Sequence, residues 1–302
     1  MTTEGPVGDD APLSKNERRE AAREKAKELR AAQRKKDIRN RILLQGGIIV
    51  AVLAVVAIVA VIVVSSIRPA SNGPANMASD GVVIGQGLVA QPTEALAAGA
   101  EPIATAENPA VAQIRVYVDY LCPYCGQFEN ANTAQMESLI ESGAATVEIH
   151  PIAILTGRSA GTQYSLRAAN AAACVADSAP ESFWAFNSAL FADQPAEGTA
   201  GLTDEELIAL ADAAGATDVS ECVEDRDFAG WVEAATDRAK AGPIPNSDLD
   251  SVSSTPTILV NDRQYTGSLT DTDEFRAFVL QASSESYATS TPTPTPSPSA
   301  QP

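Results

Sequence analysis

Residues 42–64 run for 23 positions without a charge, dense in Val, Ile and Ala. As a helix this stretch reaches about 35 Å, enough to cross a bilayer core of about 30 Å with slight tilt. A buried core helix would show a polar face, and a cleaved signal peptide has a shorter apolar stretch behind a shorter leader. The pattern therefore predicts one retained transmembrane helix. Beyond it the period falls to two. Residues 81–85 read as a short strand, and Ile114, Val116 and Val118 alternate with Arg115, Tyr117 and Asp119 in a strand over 114–120. A helix follows over 122–141, with Phe128, Met136, Leu139 and Ile140 as its apolar residues and Gly143 as its stop. Residues 146–155 form the next strand, so the two strands should run parallel with a right-handed crossover.

A long helical stretch spans about 160–240, including a capping box from Thr203 to Glu206 and a stop at Gly215. The chain returns to strand at 257–260, turns at 261–263 and pairs back over 264–266. A last helix over 271–282 carries Phe275, Phe278 and Val279 on one face. The class is α/β, with a helical insertion of about 160–240 in one domain over 81–285.

Charge changes this picture by dividing the chain. The whole has 302 residues, net charge −18 and one His. Residues 1–41 hold 12 Lys and Arg against 8 Asp and Glu, net +4, whereas the other 261 hold 9 against 31, net −22. Nucleic acid is excluded as a partner of so acidic a domain, because phosphates demand clustered Lys and Arg. Lys35, Lys36, Arg39 and Arg41 crowd the N-terminal end of the apolar run, and only Arg68 stands close beyond it. The positive-inside rule then places the N-terminus in the cytoplasm and residues 65–302 outside, as a single-pass protein of the cell membrane. The predicted organisation is a basic helical segment (1–41), the transmembrane helix (42–64), a linker (65–80), the domain (81–285) and a disordered Pro/Ser/Thr-rich tail (286–302).

The chemistry sits at Cys122-Pro123-Tyr124-Cys125, directly after a strand and opening a helix. Unpaired N–H groups and the helix dipole favour an anion at the first thiol, which lowers its pKa and makes it the nucleophile. The second thiol, one turn on, closes or resolves a disulfide. Pro123 suits the first helical turn, where its missing N–H costs nothing. A zinc site needs four ligands, and no second Cys pair of similar spacing exists; His150 is the sole imidazole and reads as structural. The residues call for no metal and no cofactor.

Asp119-Tyr120-Leu121 ahead of this motif, the helical insertion, and Ser254-Thr255-Pro256-Thr257 ahead of the third strand complete a pattern. It resembles the DsbA-like thiol:disulfide oxidoreductases of the thioredoxin superfamily, in a membrane-anchored form like those of actinobacteria. The resemblance implies a thioredoxin fold with an inserted helical subdomain. It also implies a cis bond at Thr255-Pro256 beside the Cys pair, with the Thr255 backbone pairing to an extended substrate peptide. Two features depart from the family. Tyr124 stands where the oxidase branch commonly has His, which implies a milder oxidant within a range of about −270 to −120 mV. Asp250-Ser251-Val252-Ser253-Ser254 replaces the usual glycine-flanked run before Thr-Pro. Tyr124 either tunes the thiolate or contacts substrate. Asp119 either handles the proton of the resolving thiol or is a loop carboxylate.

Cys174 and Cys222 lie 48 residues apart in the insertion. The adjacency of Cys122 and Cys125 favours Cys174–Cys222 as a structural bridge, the default in an oxidising compartment. The expected activity is dithiol–disulfide exchange that introduces disulfides into exported proteins with free thiols. Reoxidation would come from a membrane quinone-linked thiol oxidase of the DsbB or vitamin-K-epoxide-reductase type, and the protein would act as a monomer. Two alternatives stay open: a reductase or isomerase using the same pair, and a membrane-tethered binding module in which Cys122–Cys125 is an inert bridge.

Overall fold

The structure, a computed structural model, describes residues 72–290 and, ahead of them, 23–31, 33–36, 38, 44–47, 50 and 52–56. The chain divides into two units at Arg68. In the first unit all described residues are helical. Most of the predicted span 42–64 lies outside the described residues, and among the described ones no helix is long and apolar enough to cross a membrane. The start of the linker and residues 291–302 of the tail also lie outside them.

The second unit is built on the alternation already seen around Ile114. Ala112, Ile114, Val116 and Val118 are buried along β3 (Ala112–Val118), the strand on which the rest assembles. β3 pairs in parallel with β4 (Ala145–Pro151) and antiparallel with β5 (Thr257–Val260). Outside them lie β1 (Val82–Gly85), antiparallel to β4, and β6 (Arg263–Tyr265), antiparallel to β5. A two-residue strand, β2 (Val89–Ala90), which the sequence pattern did not indicate, completes the order β2-β1-β4-β3-β5-β6. Two residues are too short to display a period.

The β3–β4 crossover is α1 (Pro123–Glu141), which buries Cys125, Phe128, Asn132, Met136 and Ile140 at helical spacing. Strand β4 ends at Pro151, four residues before the predicted end, and the chain turns through a short 3-10 helix at Thr156–Arg158. The insertion resolves into α2 (Tyr164–Ser178), α3 (Phe183–Ala192), α4 (Asp204–Ala214), α5 (Ser220–Asp225) and α6 (Ala229–Ala241). Thr203 and Glu206 form the expected capping box at the start of α4, and Gly215 closes it. The last helix, α7 (Thr272–Ser290), runs eight residues past its expected end and takes in the first residues assigned to the tail. Phe275 on α7 packs edge-on to Phe128 of α1 at 5.1 Å and to Tyr265 of β6 at 5.2 Å. The opposite sheet face carries a smaller cluster of Tyr117, Ile152, Ala239, Ile244, Val252 and Leu259.

One boundary needs correction. Residues 72–80, assigned to the linker for their small and polar composition, are part of the domain. Met77 is 1 % exposed, Asn76 Nδ2 donates to the Ala176 carbonyl at 2.8 Å, and Asp80 holds Arg238 of α6 through two bonds of 2.7 Å. A single buried Met in a run of Ser, Asn, Gly and Pro carries no periodic signal. On the same side, Glu148 is buried with Arg115 Nε at 3.4 Å and His150 Nε2 at 3.2 Å. Burial opposes its charge, but His150, Arg115 and Ser79 together outweigh it and bring the carboxyl down to about 2. His150 also stacks on Tyr117 at 4.4 Å, so it belongs to the packing of the sheet.

Candidate active site

The parallel crossover sets the site at the C-terminal end of β3, where the chain leaves the sheet and enters α1. Cys122 is the N-cap residue, extended at φ −77° and ψ 115°, and Pro123 opens the helix. No side chain caps this end, and the Tyr124 and Cys125 backbone groups lie within hydrogen-bond reach of the Cys122 sulfur. Both cysteines are free thiols and both are buried, Cys122 at 4 % exposure and Cys125 at 0 %. The two residues between them face outward, Tyr124 at 59 % exposure.

Thr255-Pro256 is cis, as the resemblance implied, and meets the cysteine pair across 133 residues of sequence: Cys122 Sγ donates to the Thr255 carbonyl at 3.1 Å. A second cis bond, Gly242-Pro243, lies ahead of the run 250–254 that departs from the family. Gly242 has φ +59°, and a Cβ there would lie 1.6 Å from the Asp250 carbonyl oxygen, so only glycine fits this crossing.

The two thiols are driven apart in acidity. The Cys125 thiol, then the Thr255 side chain and the Cys125 and Tyr124 backbone groups, stabilise a Cys122 thiolate and bring its pKa down to about 6 against the pull of burial. Burial, followed by the neighbouring Cys122, pushes Cys125 well above the ordinary thiol range. At pH 7 Cys122 is therefore mostly thiolate and Cys125 fully protonated. The pair holds one nucleophile and good leaving group, and one proton-bearing partner that can close on it.

Asp119 is buried, and its oxygens are committed to the loop. Oδ1 accepts from the Leu121 N–H at 2.9 Å, and Oδ2 accepts from the Leu155 N–H at 2.8 Å and the Ser165 hydroxyl at 2.7 Å. These bonds fit the loop-carboxylate reading: Asp119 ties the end of β3 to the turn after β4 and to α2. Cys174 and Cys222 are joined in a disulfide between α2 and α5.

Two nearby residues escaped sequence reasoning. Gln194, two residues beyond α3, donates through Nε2 to the carbonyls of Cys122 at 2.8 Å and Tyr120 at 3.1 Å. Nothing in the sequence brings position 194 to position 122. Glu129 sits one turn after Cys125 on α1 and is 1 % exposed. A polar residue on the buried face of a helix was the one available signal.

Glu129 carries a pH-dependent cost. Burial pushes its carboxyl from 4.5 up to about 7, with the Thr133 hydroxyl pulling the other way. A folded pKa above the unfolded one makes the retained proton stabilising. That contribution is complete below pH 4.5 and lost as the pH rises through about 7. The difference across this window is about 3 kcal/mol. Glu129→Gln keeps the shape and removes the titration. Urea unfolding of the oxidised protein, in which no cysteine titrates, should show wild type losing more stability than the variant between pH 4.5 and 8. Equal slopes in both proteins would exclude this account.

The sequence matches the thioredoxin family, described as "Thioredoxin", over residues 101–280. Among solved structures it is similar to the reduced disulfide bond oxidoreductase DsbG of Mycobacterium tuberculosis, at 31 % identity and TM-score 0.51 over 70 % of this chain and 93 % of that one. Oxidised DsbA of the same organism is similar at 30 % identity and TM-score 0.51, over 70 % of this chain and all of that one. BdbD of Bacillus subtilis shares the fold at 22 % identity and TM-score 0.50, over 72 % of this chain and 100 % of that one. The serine/threonine-protein kinase PknE of M. tuberculosis is 34 % identical over 107 residues, 34 % of this chain. The chain spans only 19 % of the length of these curated relatives.

Proposed function

The chain belongs to the thioredoxin family and is a thiol:disulfide oxidoreductase of DsbA type, and on that premise we propose that it forms disulfides in exported proteins from a membrane-anchored position outside the cytoplasm. The observation that carries the direction is the asymmetry of the cysteine pair. An N-cap Cys122 whose thiolate is stabilised favours the reduced state of the pair, which makes the disulfide oxidising and Cys122 the better leaving group.

A substrate thiolate attacks Cys122 of the Cys122–Cys125 disulfide, and the Cys125 sulfur leaves and takes up a proton. The substrate's second thiolate then attacks its own sulfur in the mixed disulfide, and Cys122 leaves as thiolate. Two electrons pass from substrate to the pair, and the substrate holds the new disulfide. Thr255 and Pro256, beside Cys122, take the substrate backbone, and exposed Tyr124 meets its side chains.

The anchored position is supported by the uncharged run 42–64 and its basic N-terminal flank. It is also supported by the exposure of Leu44, Val50, Val52, Leu53, Val55 and Val56 at 55–69 %, an apolar surface that water does not favour. A short tether suits reoxidation by a membrane quinone-linked thiol oxidase of DsbB or vitamin-K-epoxide-reductase type. The protein acts as a monomer.

Acid quenching of intact cells followed by alkylation reads the state of Cys122 and Cys125 directly. A mostly oxidised pair is expected. A mostly reduced pair would overturn the proposed direction in favour of a reductase or isomerase.

A further inference from the structure

We propose that Gln194 is a positioning residue for Cys122: it fixes the carbonyls on both sides of Leu121-Cys122 and so aims the sulfur at the first N–H groups of α1. The geometry is specific. The side-chain amide arrives from beyond α3, 72 residues on in sequence, and donates to Cys122 O at 2.8 Å and Tyr120 O at 3.1 Å. The Cys122 carbonyl already accepts from the Cys125 and Gly126 N–H groups at 3.0 and 3.2 Å, so the Gln194 bond adds a third donor where the helix begins. Its positive end offsets the negative carbonyl closest to the thiolate.

The structure makes room for this bond. A Cβ at Gly126 would lie 2.3 Å from Gln194 Oε1. Gly126 is inside α1, where glycine weakens a helix by about 1 kcal/mol relative to alanine. Its missing side chain is where the Gln194 amide sits. The residue after the second cysteine and the residue beyond α3 are therefore one device built from two distant positions.

The inference rests on Cys122 being the redox-active thiol and not on the direction of exchange. The test follows the pH dependence of iodoacetamide alkylation of Cys122, and the equilibrium of the pair with glutathione at pH 8, on the full chain in detergent. Wild type should titrate near 6; a wild-type midpoint in the ordinary thiol range would refute the reading of Cys122 itself.

Gln194→Met keeps the length and removes the donor. It should raise the Cys122 midpoint by about one unit, a tenfold shift toward the thiol. At pH 8 the pair should become about tenfold easier to oxidise, equivalent to about 30 mV more reducing. Gly126→Ala leaves Gln194 in the sequence but displaces its amide, and should shift the titration the same way while strengthening the helix. A general loss of stability cannot produce that combination. Combining both changes should add little to either. If either single variant folds with the wild-type titration and glutathione equilibrium, the role assigned to Gln194 is wrong.

Discussion

Cys122→Ser is expected to lower exchange activity by on the order of 10³ or more, to the level of the uncatalysed reaction. A serine hydroxyl is not ionised near neutral pH, whereas the donors around Cys122 bring its thiol down to about 6. Cys125→Ser should fail differently. The Cys122 thiolate can still attack a disulfide in an oxidised substrate and release one of its two thiolates, but the buried partner that would expel the bound sulfur is gone, so the mixed disulfide accumulates. On a non-reducing gel this variant should carry reductant-sensitive adducts that the Cys122 variant lacks. Its capture rate should rise with pH and then level off, because attack follows the Cys122 ionisation. Adducts on the Cys122 variant would assign the accessible sulfur to Cys125, against its burial at 0 % exposure.

The parts of this site that were legible from sequence are those whose residues are close together or share a period. Cys122 and Cys125 lie one turn apart on a helix that Phe128, Met136 and Ile140 make visible. β3 and β4 announce themselves through alternation, and their parallel pairing follows from the helix between them. Thr255-Pro256 was placed by resemblance rather than by physics, since an isolated X-Pro reads equally as an ordinary strand start. Gln194 and the packing of Met77 were illegible for the opposite reason. A polar side chain in a loop and a lone Met in a Gly/Pro-rich stretch acquire meaning only when the fold brings a partner to them. Asp119 lies between these cases. Its proximity to Cys122 suggested proton transfer, and only the fold shows that its oxygens also hold the loop through Ser165 and the Leu155 N–H, 46 and 36 residues away.

Replacing Cys174 and Cys222 together by Ala is expected to cost about 4 kcal/mol of stability in the chain-entropy account, because their bridge closes a loop across 48 residues. Both positions must change at once, since a lone thiol would compete with the redox pair for disulfide exchange. Urea unfolding of the oxidised proteins should show a lower midpoint for the variant, and equal midpoints would mean the bridge contributes nothing net. The chemistry of the two pairs makes a further distinction. Cys174 is fully buried in α2 and Cys222 half-buried in α5, so the pairs differ less in access than in chemistry: only Cys122 gains donors that stabilise its thiolate. A disulfide whose reduced form holds a stabilised thiolate is the easier one to reduce. Mild reductant followed by alkylation under native conditions should therefore label two cysteines, and the other two only after denaturation. With one bridge the harder to reduce, the Cys122–Cys125 pair can cycle while the helical insertion that supplies Gln194 and Ser165 stays closed.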